Sequence, residues 1–116
     1  MDKVILVTGA SSGIGRAIAE GLARNGFIVY AASRTGSCAK AERLIPVTMD
    51  VRMESLVMQR MKEIELQHGK LHAVINSAGL GMIGALEDSS ADDLREVFET
   101  NLMGVHHVCR HALPLL

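Results

Sequence analysis

The strongest constraint on this chain lies in its first 25 residues. An apolar run from Lys3 to Thr8 leads into Gly9, Gly13 and Gly15, and a helical pattern follows from about Gly13 to Asn25. A nearly all-apolar strand suits a central place in a parallel sheet covered on both faces. Strand, glycine turn and helix in that order gather backbone N–H groups and the positive end of a helix dipole around one point, which makes a pyrophosphate cradle. The spacing is Gly-x-x-x-Gly-x-Gly, and the lysine of a nucleoside-triphosphate loop is absent. The hydroxyls of Thr8, Ser11 and Ser12 either bond the ligand or stabilise the turn.

The helical pattern places Ile14, Ala17, Ile18, Gly21 and Leu22 on one face, with Gly21 expected at a close helix–sheet approach. Asn25-Gly26 then stops the helix. A second strand is expected over Phe27 to Ala32, and a loop or short helix over residues 35–40. A third strand follows over Leu44 to Met49, where Pro46 suits an edge or a strand start. Residues 52–68 read as a helix with Leu56, Val57, Met61 and Ile64 inward, ended by Gly69. Leu71 to Ile75 reads as a fourth strand. Ser90 with Asp93 is a capping-box signature. The helix it opens, reaching to about 113, carries Leu94, Val97, Phe98, Leu102, Val105 and Val108 on its expected inward face, and Pro114 ends it. Strands alternating with amphipathic helices imply one α/β domain with a doubly wound parallel sheet and right-handed crossovers.

In such a sheet, ligands sit beyond the carboxyl ends of the strands, so the residues there are the ones to read. The second strand ends in Ser33-Arg34, with no acid nearby. An acid would hold a ribose 2′-hydroxyl, whereas a guanidinium pairs with a 2′-phosphate. Arg34 therefore favours NADP over NAD. Asp50 follows the third strand, where its carboxylate either accepts the adenine amino group, with Val51 against the ring, or caps the next helix. The fourth strand runs into Asn76-Ser77-Ala78-Gly79; glycine there permits backbone close to a ribose, and Asn76 either contacts the ligand or ties the loops together. Asn101 lies on the apolar stripe of the last helix, where an amide must find partners.

Other chemistry is poorly supported. A formal net charge of −1 offers no basic field for nucleic acid. Cys38 and Cys109 have neither metal nor redox spacing, and His107 and His111, four apart, lack further ligands for a metal. No apolar run is long enough to cross a bilayer, and no signal peptide opens the chain, so a cytoplasmic protein is expected.

Taken together, Thr8-Gly9-Ala10-Ser11-Ser12-Gly13-Ile14-Gly15, Asp50-Val51, Asn76-Ser77-Ala78-Gly79 and Asn101-Leu102-Met103-Gly104 resemble the motifs of the classical short-chain dehydrogenases/reductases. Ser77 stands where that family usually has a second asparagine. The resemblance implies a Rossmann-like sheet of strand order 3-2-1-4, incomplete here. It implies NADP held by Thr8, Gly9, Ser11, Ser12, Gly13, Ile14, Gly15, Ser33, Arg34, Asp50, Val51, Asn76, Ala78 and Gly79. It also implies that Asn101 shapes the active site and its proton-relay water. The activity implied is interconversion of a carbonyl and an alcohol, in a homo-oligomer.

The family's catalytic serine and Tyr-x-x-x-Lys pair have no match within these 116 residues. Tyr30 is the only tyrosine, and Arg34 stands four residues later. The expectation is therefore a cofactor-binding N-terminal part whose acid–base half lies elsewhere. The alternative is a non-catalytic nucleotide-binding regulatory or assembly protein.

Overall fold

A computed structural model describes residues 2–38, 41–81 and 84–116. Four parallel strands, β1 (Val4–Thr8), β2 (Ile28–Ser33), β3 (Leu44–Thr48) and β4 (Ala73–Ile75), form one sheet in the order β3-β2-β1-β4. Leu6 pairs with Tyr30 on one side and Val74 on the other, so β1 is central, as its apolar run requires. Pro46 lies in β3, the strand at one end of the order, where its missing N–H is tolerated. The expected second, third and fourth strands are all present, with bounds moved by one or two residues. The end of the segment 35–40 lies outside the described residues.

Alternation along the strands divides the core between the two faces. Ile5, Val7, Val29 and Ala31 pack with Ala19 under α1 (Gly13–Arg24). Val4, Leu6, Tyr30 and Ala32 pack on the other face with Val57, Met61 and Ile64 of α2 (Glu54–His68) and Val108 and Ala112 of α4 (Gly104–Ala112). On that face the Tyr30 hydroxyl lies 2.7 Å from His68 Nε2 at the end of α2. His72 Nδ1 accepts the Val4 N–H at 2.9 Å and joins the starts of β1 and β4. Among the described residues, no helix is long and apolar enough to cross a membrane.

Two expectations about helix faces fail. In α1, Ile14 is 76% exposed and Ala17 is also exposed, while Gly15 and Ala19 are buried. Ile14 opens the helix at the edge of a cleft instead of over the sheet. The close approach belongs to Gly15, not Gly21: a Cβ on Gly15 would collide with the Gly9 carbonyl, whereas one on Gly21 would meet only the end of Arg24 at 3.8 Å.

The expected continuous helix over 90–113 is broken. It consists of α3 (Ala91–Phe98), a π-helical turn (Glu99–Met103), α4, and a closing 3₁₀ turn (Leu113–Leu115). The capping box of Ser90 and Asp93 is present as expected. A π turn adds a residue to the repeat and rotates the side chains beyond it about the helix axis. Leu94, Phe98 and Leu102 stand more than half exposed, and Thr100, Gly104, His107, Val108 and Ala112 face inward.

Gly69 ends α2 in the left-handed region, with φ 71°, and nothing lies within 4 Å of where its Cβ would stand. Only backbone strain then opposes a side chain there. Gly69→Ala should lower the unfolding free energy by about 1 kcal/mol, and Gly69→Asn by less, in urea titrations.

Candidate functional site

The carboxyl ends of all four strands open onto a cleft of about 510 Å³. One wall is the turn from Gly9 to Gly15. Ser33 and Arg34 stand at the end of β2, Met49 to Val51 beyond β3, and Ser77 to Leu80 beyond β4; Thr100 of the π turn completes the lining. Every residue expected to hold the cofactor lines this cleft except Thr8 and Asn76.

The first wall depends on two glycines packed against neighbouring backbone. Gly9 has φ 63°, and a Cβ there would lie 2.7 Å from the Ser77 carbonyl and 2.8 Å from the Ala78 amide. Gly15 in turn packs on Gly9. Gly13 also has positive φ, at 58°, but its Cβ position is open, so its requirement is conformational only. Ser12 occupies the N-cap without bonding the helix, and α1 carries no acid in its first turn. The first amides of α1 have no partner within the helix and remain as donors at the cleft.

Thr8 does not line the cleft. It is 1% exposed, and its hydroxyl accepts the N–H groups of Ser77 and Ala78, each at 3.1 Å. It joins the turn after β1 to the turn after β4. Asn76 likewise lies outside the cleft lining, donating to Cys109 Sγ at 3.6 Å.

Asp50 is not a helix cap. Its Oδ1 accepts the Arg52 N–H at 3.0 Å, and its two oxygens grip the Arg52 guanidinium at 2.8–3.3 Å; Met53 takes the N-cap position. The Arg52 hydrogen bonds hold the Asp50 carboxyl below the ordinary carboxylate range, against the opposing effect of partial burial. Arg34 is exposed, and among the described residues no acceptor engages its guanidinium. Arg16 differs, forming a 2.8 Å pair with Glu20 on the outer surface of α1.

Asn101 is exposed, yet both ends of its amide are occupied. Oδ1 accepts the Leu80 N–H at 2.8 Å, and Nδ2 donates to the Leu80 carbonyl at 2.7 Å. This pair holds the Gly79–Leu80 backbone against the π turn. A Cβ on Gly79 would stand 3.2 Å from that Oδ1, so the missing side chain permits the contact. Asn101 is a positioning residue in this arrangement.

Met49, Ser77, Leu80 and Thr100 also line the cleft and were not expected from the sequence. Only Thr100 carried an available signal, a small polar residue beside Asn101. Ser33 and Thr100 are 7% and 8% exposed. Among the described residues, their hydroxyls are the buried side-chain polar atoms without a partner. Both residues border the cleft, with their hydroxyl oxygens turned away from its open space. Tyr30 has no part in this cleft: it is buried beneath the sheet, and burial pushes its hydroxyl pKa up.

A family profile described as short chain dehydrogenase matches residues 3–116. Among curated proteins, Oxidoreductase BOA17 of Botryotinia fuckeliana is 39% identical over 123 residues, an alignment covering 100% of this chain and 45% of that protein. Among solved structures, ligand-free aldohexose dehydrogenase of Thermoplasma acidophilum superposes with a TM-score of 0.90 at 32% identity, covering 98% of this chain and 44% of the other. An alcohol dehydrogenase of the archaeon Thermococcus sibiricus, complexed with 5-hydroxy-NADP, gives 0.88 at 30% identity, covering 100% and 54%. The chain thus spans about half the length of these relatives.

Two measurements check the electrostatics and stitching described above. Thr8→Val leaves two amides without their acceptor and should cost about 2 kcal/mol in chemical unfolding, while Thr8→Ser retains most of the stability. The second concerns Asp50. Because its folded pKa is depressed, its contribution is fully present above the unfolded value, near pH 4, and is lost as pH falls through the lower folded value. The stability gap between wild type and Arg52→Gln should therefore be widest near neutrality and narrow steadily below about pH 4.

Proposed function

The chain belongs to the short-chain dehydrogenase family, and from that premise we propose that it is the cofactor-binding part of an NADP-dependent oxidoreductase that interconverts a carbonyl and an alcohol. The observation that carries the cofactor assignment is the end of β2, where Ser33 and Arg34 line the cleft and no acid follows. A 2′-phosphate there meets a guanidinium that no acceptor engages among the described residues, a partner of opposite charge that a ribose hydroxyl would use poorly.

The cleft also fits the rest of that ligand. The amides at the start of α1, with Gly9, Ser11, Ser12, Gly13, Ile14 and Gly15 around them, receive the pyrophosphate. Asp50 and Val51 form the adenine side, and Ala78 with Gly79 brings backbone close to a ribose. Thr8 and Asn76 act behind this lining, and Asn101 fixes the Leu80 peptide beside it. When bound, the nicotinamide supplies the hydride chemistry. The residues of this chain bind it, orient it and exclude water from its adenosine half. Among the described residues the cleft lining contains neither tyrosine nor lysine, so this reading assigns proton transfer at the substrate oxygen to groups other than those lining residues.

On the same reading, the protein's partners are a small carbonyl or alcohol substrate and further copies of itself. The apolar side chains of Leu94, Phe98 and Leu102, all more than half exposed, support such association.

Calorimetric titration with NADPH and NADH tests the proposal. NADPH should bind more tightly than NADH. Arg34→Ala should weaken NADPH by about 10- to 100-fold, the value of a charge-assisted pair, and change NADH by no more than about twofold. A folded sample that binds neither dinucleotide would sink the proposal. Tight NADPH binding in a protein whose whole coding sequence lacks a proton-transfer group would favour a regulatory nucleotide-binding role.

A further inference from the structure

Behind the adenine wall stands a cluster of ionisable side chains that the cleft itself does not use. His107 of α4 is buried, at 7% exposure, and its Nδ1 lies 2.8 Å from the Val51 carbonyl. A carbonyl can only accept, so Nδ1 carries the proton and donates. The other ring nitrogen, Nε2, lies 3.9 Å from Oε2 of Glu54, at the first residue of α2. The same carboxylate meets His111 Nε2 at 3.1 Å and Arg110 Nη1 at 3.3 Å through Oε1. One turn before His107, Gly104 lets α4 close on the same valine: a Cβ there would stand 2.6 Å from Val51 Cγ2. Val51 is therefore held by α4 twice, through its side chain at Gly104 and through its carbonyl at His107, while its other side lines the cleft.

We infer that His107 is a positioning residue for the base of the cofactor, holding the Val51 wall in place through Nδ1. The inference rests on the dinucleotide reading of the cleft. The groups facing His107 define how it responds to its surroundings. On α2 this is Glu54; on α4 they are Arg110 and His111 through that carboxylate, and His106, whose ring centre is 6.2 Å away. In the turn that carries Val51, Asp50 and Arg52 are committed to each other, and Arg52 also reaches Glu96 of α3 at 3.4 Å.

Asparagine and glutamine separate the two ends of the ring. In His107→Asn the side-chain amide reproduces the Nδ1 donor, so NADPH affinity should stay within about twofold of wild type. In His107→Gln the amide reaches toward the Nε2 position and leaves the Val51 carbonyl unpaired, so affinity should fall by about fivefold, the worth of one neutral hydrogen bond. Adenosine 2′,5′-bisphosphate, which has the base but no nicotinamide, should lose the same factor. Equal affinities for the asparagine and glutamine variants would overturn the inference while wild-type binding left the dinucleotide reading intact. Failure of wild type to bind either probe would remove that reading first.

Discussion

One hydroxyl at the end of the central strand holds the site together. Thr8 accepts two successive amides, Ser77 and Ala78, from the turn that follows β4. Those amides belong to a segment with no ladder left to join, because β4 stops at Ile75. Buried N–H groups without partners are costly, so the hydroxyl fixes where the second turn crosses the first. The crossing is tight enough that Gly9 can carry no side chain, and Gly15 packs on Gly9 in turn. The glycine turn after β1 and the loop after β4 are thus a single packed unit. Its geometry follows from one threonine and two glycines.

This packed unit shows which parts of the site could be read from the sequence. The strand order is implied only by the family resemblance, whereas the strands, the place of Pro46 at an edge or a strand start and the position of the cleft all derive from short-range patterns: apolar runs, glycines and the residues at strand ends. They were legible because each is governed by backbone sterics or by burial of a whole strand. The role of Thr8 was left open between ligand contact and turn support, since both use the same hydroxyl. Asp50 was similar. Its carboxylate is expected to receive a base, to cap a helix, or both; it does not cap α2, and it also holds Arg52, two residues away. A local pair of that kind leaves no periodic trace.

The last helical region failed for a different reason. Period 3.6 assumes an unbroken α-helix, and the π turn at Glu99–Met103 breaks that assumption where Asn101 must face Leu80. The wide turn lets Asn101 reach out to the loop while Thr100 borders the cleft and Gly104 closes on Val51. Leu94, Phe98 and Leu102 then project outward. The apolar stripe was real as a pattern, but the local helix geometry serves the cleft and not the stripe.

The same helical segment therefore carries three duties at once, and their order along the chain is informative. Asn101 holds the loop after β4, Gly104 admits the valine after β3, and His107 bonds that valine's carbonyl. These positions are three residues apart, so one face of the segment addresses two sides of the cleft in succession. A displacement of this segment would act on the Leu80 peptide and the Val51 wall together, because both contacts come from it. The outer face of this segment bears the exposed leucines and phenylalanine. Anything seated on that face would bear on the same segment that holds the Val51 wall, so under the proposed reading association and cofactor binding lie on opposite sides of one structural element.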